Sequence, residues 1–105
     1  MPADANFLSH VMEILEPTGD ISSRPMFGGY GVFHQGDMFA LISGSTLYFK
    51  VNETNLPQYE AAGSSRYKPM PYYEVPTEVM EDMTQLRDWA DTSIAIGHAT
   101  AKKKK

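Results

Sequence analysis

The chain has 105 residues, 42% of them hydrophobic and none of them cysteine, and its formal net charge at pH 7 is −4. This length suits one small domain with an ordinary core and is too short for two domains. The lack of cysteine excludes disulfides, thiol catalysis and thiolate metal sites, and secreted domains of this size are usually held by disulfides. The opening residues also lack a signal-peptide pattern, and no apolar run is long enough to span a membrane. The sequence therefore predicts a cytoplasmic protein with no membrane contact.

The basic residues are unevenly distributed along the chain. Four of the nine form the terminal run Lys102–Lys105, so the part up to Ala101 carries five basic residues against thirteen acidic ones, a net charge of −8. A body this acidic repels DNA phosphates, so we expect no direct DNA binding by it. A lysine run at a chain end is typical of a disordered, solvated tail.

Residues 4–16 predict an amphipathic helix, because apolar side chains recur there at helical spacing. These side chains are Phe7, Val11, Ile14 and Leu15. Asp4 is the expected N-cap, and Pro17 together with Gly19 is expected to end the helix.

A strand-rich region follows the first helix. The stretch "GVFHQGDMFALI" contains two apolar runs separated by Gln35-Gly36-Asp37, which predicts a β-hairpin. The stretch "SGST" turns the chain again, into "LYFKV" at 47–51, where apolar and polar side chains alternate. We expect an antiparallel meander of three or four strands.

Residues 52–105 predict a short helix, an edge strand and a long helix. Residues 52–63 have the composition of a short helix closed by Gly63, and the prolines around Met70–Val75 suit an extended edge segment. Thr77 is the expected N-cap of a helix running to about Ile96, with Gly97 as its cap and a loose remainder. Its expected apolar stripe is Val79, Met83, Leu86, Ala90 and Ile94, and its expected exposed acidic residues are Glu78, Glu81, Asp82, Asp88 and Asp91.

These elements predict an α+β fold in one domain, residues 1–101, followed by a disordered tail at 102–105. An antiparallel β-sheet, a meander, is expected to have helices packed on one face, in the order α-β(3–4)-α-β(1–2)-α.

The glycine-rich stretch "RPMFGGYGVF" (24–33) fits neither common phosphate-binding motif. A P-loop needs a Gly-Lys-Ser/Thr sequence leading into a helix, and a dinucleotide fingerprint needs a glycine where His34 stands. We interpret the glycines as structural, marking a β-bulge or a close approach between a strand and a packed helix.

No catalytic, cofactor or metal site emerges from the polar residues. The three histidines, His10, His34 and His98, fall in different predicted elements, and only His34 and Asp37 are near neighbours, across the hairpin turn. The chain also has no nucleophile elbow.

Aromatic residues interleaved with basic ones are the remaining functional signal. Such patterns occur on sheets with an aromatic inner face, and also on surfaces that contact proteins or stack nucleic-acid bases. We predict that any interaction surface includes Arg24, Tyr48, Lys50, Tyr72 and Tyr73.

Several motifs occur together in order and spacing: "RPMFGGYGVF", "MFALI", "LYFKV", "YEAAG", "MPYYEVP" and "LRDWA". With these motifs the chain, from about Phe7 to Ile96, resembles the N-terminal domain of the TfoX/Sxy family, regulators of bacterial natural competence. The resemblance implies a small α+β domain without known enzymatic activity, and full-length regulators also carry a helix-rich C-terminal domain. It further implies action on transcription through a protein partner, the cyclic-AMP receptor protein.

Three alternatives stay open at this point. A small-ligand site or an enzyme site could use a pocket between sheet and helices near Arg24 and Tyr30. Lys102–Lys105 and the tyrosines could contact nucleic acid directly. A homodimer could form through the predicted edge strand at Met70–Val75.

Overall fold

The computed structural model describes residues 5–26, 28–67 and 70–103. A first helix, α1 (Ala5–Leu15), leads through a 3-10 turn into a four-stranded meander. Its strands are β1 (Ile21–Met26), β2 (Gly29–His34), β3 (Asp37–Ser43) and β4 (Thr46–Lys50). The chain then forms α2 (Leu56–Ala61), β5 (Tyr72–Glu74), α3 (Thr77–Met80) and α4 (Met83–Lys103).

The five strands form one antiparallel sheet in the order β1-β2-β3-β4-β5. This confirms the predicted α+β class, the meander and the edge position of the strand within Met70–Val75. The predicted hairpin is also confirmed, with Gln35 and Gly36 as its two turn residues at φ values of 50° and 87°. Positive φ at both turn positions matches the right-handed twist of the flanking strands.

The main core lies between the helices and one face of this sheet. All four helices contribute buried side chains to it, and the sheet contributes inward-facing residues of β2, β3 and β4. Those from the helices are Val11, Ile14, Leu15, Tyr59, Val79, Leu86, Ala90 and Ile94, and those from the sheet are Val32, Phe39, Ala40, Ile42, Leu47 and Phe49.

The predicted single helix from Thr77 to Ile96 is wrong at its beginning. Thr77 is the first residue of α3 and caps nothing, and the helix is interrupted after one turn. Asp82 causes the break: its Oδ1 accepts hydrogen bonds from the backbone N–H groups of Thr84 and Gln85, at 3.1 and 3.2 Å. A short aspartate side chain competes for these donors and so starts a new helix. Met83, expected in the apolar stripe, is 54% exposed as a result.

The predicted helix end near Ile96 is also wrong. Gly97 lies inside α4, which continues to Lys103 and so enters the stretch predicted as a disordered tail. The helix needs glycine at this position because a Cβ there would lie 2.8 Å from the Met38 carbonyl oxygen of β3. No described helix is both long and apolar enough to cross a membrane.

The glycines of "RPMFGGYGVF" shape the β1–β2 hairpin, as interpreted. Gly28 has a φ of 74°, and a Cβ on Gly29 would overlap the Ile42 carbonyl oxygen of β3. The close approach is therefore to a neighbouring strand and not to a helix. The bulge of this sheet lies in β3, where the pairs Val32–Ala40 and Phe33–Met38 leave Phe39 without a cross-strand partner.

Tyr59 brings a polar atom into the main core. Its ring contacts Trp89 edge-on at 4.8 Å between centroids, and its hydroxyl is buried without a hydrogen-bond partner. Burial raises the pKa of Tyr59 far above its ordinary value, and the neighbouring Ser93 hydroxyl, which donates to the Lys50 carbonyl, opposes this only in part.

Replacing Gly97 with alanine should destabilise the fold, although alanine has the higher helix propensity. We expect the overlap with the Met38 carbonyl to outweigh the gain of about 1 kcal/mol from propensity, giving a net loss of about 1–2 kcal/mol by urea unfolding. The exposed Ala95 on the same helix gives the matched control, since Ala95→Gly should cost only the propensity difference. A more stable Gly97→Ala variant would contradict the close approach of α4 to β3.

Tyr59→Phe should leave the free energy of unfolding unchanged or raise it by up to about 1 kcal/mol, because it removes a buried hydroxyl without a partner. Tyr59→Ala should cost about 3–5 kcal/mol through the cavity it leaves. A loss of 1 kcal/mol or more in Tyr59→Phe would mean that the hydroxyl is well bonded to Ser93.

Candidate functional site

The face of the sheet opposite the helices carries most of the side chains singled out from the sequence. Side chains of paired residues share a face of the sheet, so the register places Arg24, Gly31, Leu41, Tyr48 and Glu74 in one row across all five strands. The next row contains Phe33, Met38, Lys50 and Tyr72. We call this surface the helix-free face.

Within the described residues, three apolar side chains of the helix-free face are buried although no helix packs on that face. Phe33, Leu41 and Tyr72 are 7%, 0% and 2% exposed, and none belongs to the main core cluster. The Met26 side chain lies over Gly31, where a Cβ would collide with its Sδ. The sheet therefore has a second, thin apolar layer, which its own longer side chains cover.

Two cations lie on aromatic rings of this layer. The guanidinium carbon of Arg24 is 4.5 Å from the centroid of Phe33, and Nζ of Lys50 is 5.0 Å from the centroid of Tyr72. Cation–π contacts of this kind restrict the long side chains while leaving their charges at the surface. They position two positive charges over an aromatic floor.

The backbone under Lys50 is also held in place. Its carbonyl oxygen accepts hydrogen bonds from Ser93 Oγ of α4, at 2.8 Å, and from Asn55 Nδ2, at 3.3 Å. Ser93 and Asn55 are the buried polar residues within the described ranges. Both side chains donate a hydrogen bond to the Lys50 carbonyl, so the end of β4 is fixed to the helical layer.

The tyrosines of the helix-free face stay neutral at physiological pH. Burial raises the pKa of Tyr72 to about 12. The pKa of Tyr48 is also raised, first by burial, then by the negative charge of Glu74 and by the nearby Tyr67, since two neighbouring phenols resist ionising together. The rings of Tyr48 and Tyr67 meet edge-on at 5.2 Å. Tyr72 is buried, whereas the half-buried Tyr48 and Tyr67 offer apolar area together with a hydrogen-bonding tip, which suits contact with another molecule.

Four of the five residues predicted to form an interaction surface lie together on the helix-free face: Arg24, Tyr48, Lys50 and Tyr72. Tyr73 does not. It pairs with Phe49, packs against the main core and lies 6.0 Å from the ring of Tyr59. Successive residues of a strand point to opposite faces, so Tyr72 and Tyr73 are separated by the sheet.

Part of the outer edge of β5 is already bonded by the chain itself. The Glu74 N–H donates to the Ser65 carbonyl and the Tyr67 N–H donates to the Tyr72 carbonyl, at 2.9 and 2.8 Å. Arg66 forms a bridge with Tyr73 between these two bonds. A second copy that paired with this edge would have to displace the segment 65–67, so the homodimer remains a prediction.

A pocket shared by Arg24 and Tyr30 is not favoured by the register. Tyr30 pairs with Pro25 and packs on the main core, whereas Arg24 points to the opposite face. Within the described residues, a cleft of about 270 Å³ opens at one end of the helix-free face instead. Its lining residues are Gly36, Asp37, Met38, Lys50, Met70, Tyr72, Gly97 and Thr100.

A chain of three polar side chains lies beside this cleft. His98 Nδ1 contacts Asp37 Oδ2 at 2.6 Å, and His98 Nε2 contacts His34 Nδ1 at 2.9 Å. Since the Asp37 carboxylate accepts, Nδ1 of His98 carries a hydrogen. The second bond then requires a hydrogen on only one of the two facing nitrogens. These two hydrogen bonds connect the last turns of α4 to the β2–β3 hairpin.

The sequence showed His34 and Asp37 as neighbours and missed His98. The expected helix end near Ile96 left His98 in a loose remainder, whereas the continued helix brings it to the hairpin. Among the residues that the structure describes, no group of three or more histidine, cysteine or acidic side chains has an arrangement that could hold a metal ion.

Replacing His98 with alanine should loosen the end of α4 without unfolding the domain. The loss of two side-chain hydrogen bonds, each about 1 kcal/mol, should speed amide hydrogen exchange in residues 97–103 at least tenfold. Thr92→Ala is the matched control, since its hydroxyl donates to the Asp88 backbone carbonyl within the same helix. Unchanged exchange in residues 97–103 would show that the histidine chain does not hold the helix end.

Comparison with known proteins agrees with this architecture and with the sequence motifs. The TfoX N-terminal domain family matches residues 13–96. A relative, DNA transformation protein TfoX1 of Aliivibrio fischeri (strain ATCC 700601 / ES114), is 29% identical over 83 residues, which cover 75% of this chain. The match spans 40% of the length of that relative. The predicted resemblance is confirmed: the chain belongs to the TfoX N-terminal domain family.

Proposed function

We propose that this chain is a non-enzymatic regulatory domain that acts on transcription by binding another protein, in a process related to DNA transformation. The observation that carries the proposal is the family match over residues 13–96, together with a relative named a DNA transformation protein. The proposed partner is a DNA-binding transcription factor, with the cyclic-AMP receptor protein as the first candidate.

The distribution of charge supports action through a partner. The chain up to Ala101 carries an excess of eight acidic residues, so phosphate contacts would have to come from another protein. A regulator that binds a DNA-bound protein needs no basic groove of its own.

The helix-free face supports protein contact as the mode of action. It combines tyrosines with two cations above a buried aromatic layer, and tyrosine and arginine are enriched at the energetic centres of protein interfaces. The side chains are held by ring contacts before any partner arrives, which lowers the entropy cost of binding.

Deleting the gene in its source bacterium should lower the transcripts of DNA-uptake genes several-fold under inducing conditions, and the gene supplied in trans should restore them.

Purified chain should bind immobilised cyclic-AMP receptor protein with a micromolar or tighter Kd, and should not retard DNA by itself at low salt. Unchanged transcripts in the deletion strain would contradict the regulatory role. Retardation of DNA by the chain alone would contradict action through a partner.

A further inference from the structure

We propose that the helix-free face binds an extended acidic segment of a partner protein, with carboxylates that pair with Arg24 and Lys50 and an apolar side chain in the adjacent cleft. This inference rests on the proposed function and adds the chemistry of the partner and the residues that select it.

Charge is segregated between the two sides of the domain. Within the described residues, the charged side chains of the helix-free face are Arg24, Lys50 and Glu74, and the Asp37 carboxylate, bonded to His98, lines the cleft at its end. The exposed carboxylates elsewhere in the described residues lie on helices and turns: Glu13, Glu16, Asp20, Glu53, Glu60, Glu78, Glu81, Asp82, Asp88 and Asp91. An acidic ligand is repelled by the helical side, and on the helix-free face it is attracted to the stretch between Arg24 and Lys50, which gives it one preferred orientation.

The spacing of the two cations sets the length of the ligand. Arg24 is on β1 and Lys50 on β4, three strands apart, and Lys50 is one side-chain row further along. With strands about 4.8 Å apart and two residues spanning about 6.7 Å, the two backbone positions are separated by about 16 Å. An extended chain covers this distance in about five residues, so the two carboxylates should lie about five residues apart.

The cleft next to Lys50 supplies the apolar subsite. Met38, Met70 and Tyr72 give it an apolar lining beside the polar Asp37, Lys50 and Thr100, and its volume is about 270 Å³. Methionine side chains adapt to ligands of different shape. An aliphatic or aromatic side chain beside the carboxylate on Lys50 would fill this space.

Glu74 limits where a further carboxylate can bind. It stands at the end of the row that begins with Arg24, and its charge acts on the neighbouring Tyr48. A third acidic residue beside Glu74 would be repelled, so the acidic segment should be confined to the region between Arg24 and Lys50.

The experiment is a selection from a random twelve-residue peptide library displayed on phage, with the full chain immobilised. We expect the selected peptides to be enriched in Asp and Glu about five residues apart with an apolar residue beside one of them. Synthetic copies should lose at least tenfold in affinity for Arg24→Glu/Lys50→Glu, and their binding should weaken as salt rises from 0.05 to 0.5 M.

Lys104→Glu/Lys105→Glu is the matched control, because it changes the net charge equally at the chain end, and it should reduce affinity less than threefold. Arg24→Gln/Lys50→Gln replaces the reversal variant if the latter fails to fold by circular dichroism, and should show a loss of the same sign. Selection of no peptides, of basic or uncharged peptides, or of peptides bound equally by all variants would overturn the inference. If the Arg24→Glu/Lys50→Glu variant binds the transcription partner with the same affinity as the unaltered chain, this inference fails and the proposed function stands.

Discussion

The central constraint in this domain is that its helices cover one face of a two-faced sheet. The main core, built on Val32, Ile42 and Phe49, takes side chains from all four helices. The opposite face has to bury its apolar residues with the sheet's own side chains. Two cation–π contacts meet this need, because the long amphipathic side chains of a strand can cover apolar neighbours. Arg24 lies over Phe33, and Lys50 lies over Tyr72. A packing requirement thus leaves two fixed cations on a broad surface.

The two sides of the sheet are mechanically connected through α4. Ser93 holds the Lys50 carbonyl, Gly97 allows the helix to approach the Met38 carbonyl, and His98 bonds to the β2–β3 hairpin. Each contact joins α4 to the end of β4 or the start of β3, where the cleft beside Lys50 opens. The helical layer therefore supports the helix-free face from behind, without covering it.

Local sequence signals predicted much of this fold. The stripe containing Val11 and Leu15, the turn at Gln35-Gly36 and the proline-rich edge strand all became the elements expected of them. The C-terminal helix was predicted less well, since its limits depend on tertiary contacts. The sequence pattern places Asp82 among the acidic residues of one helix, and only the structure shows that its side chain caps the start of α4. The pattern likewise indicates a helix end at Gly97, and only the position of β3 explains why a glycine is needed inside the helix.

The candidate site was predictable in composition but not in arrangement. Arg24 and Lys50 are 26 positions apart, and only the strand order β1-β2-β3-β4 brings them onto one surface. Strand alternation alone separates Tyr72 from Tyr73, so one of the two had to face the core. The link between His98, Asp37 and His34 needed the full length of α4, which the sequence pattern did not indicate.

The central claim is that the helix-free face is where this domain meets its partner. Backbone amide chemical shifts of the isotopically labelled chain, recorded with and without a bound acidic peptide or protein partner, test it most directly. The account predicts that the largest changes fall on the strands around Arg24, Leu41, Tyr48 and Lys50, with those of α1 and the first half of α4 unchanged. Changes concentrated on the exposed sides of α1 and α4, with the strands unaffected, would contradict it.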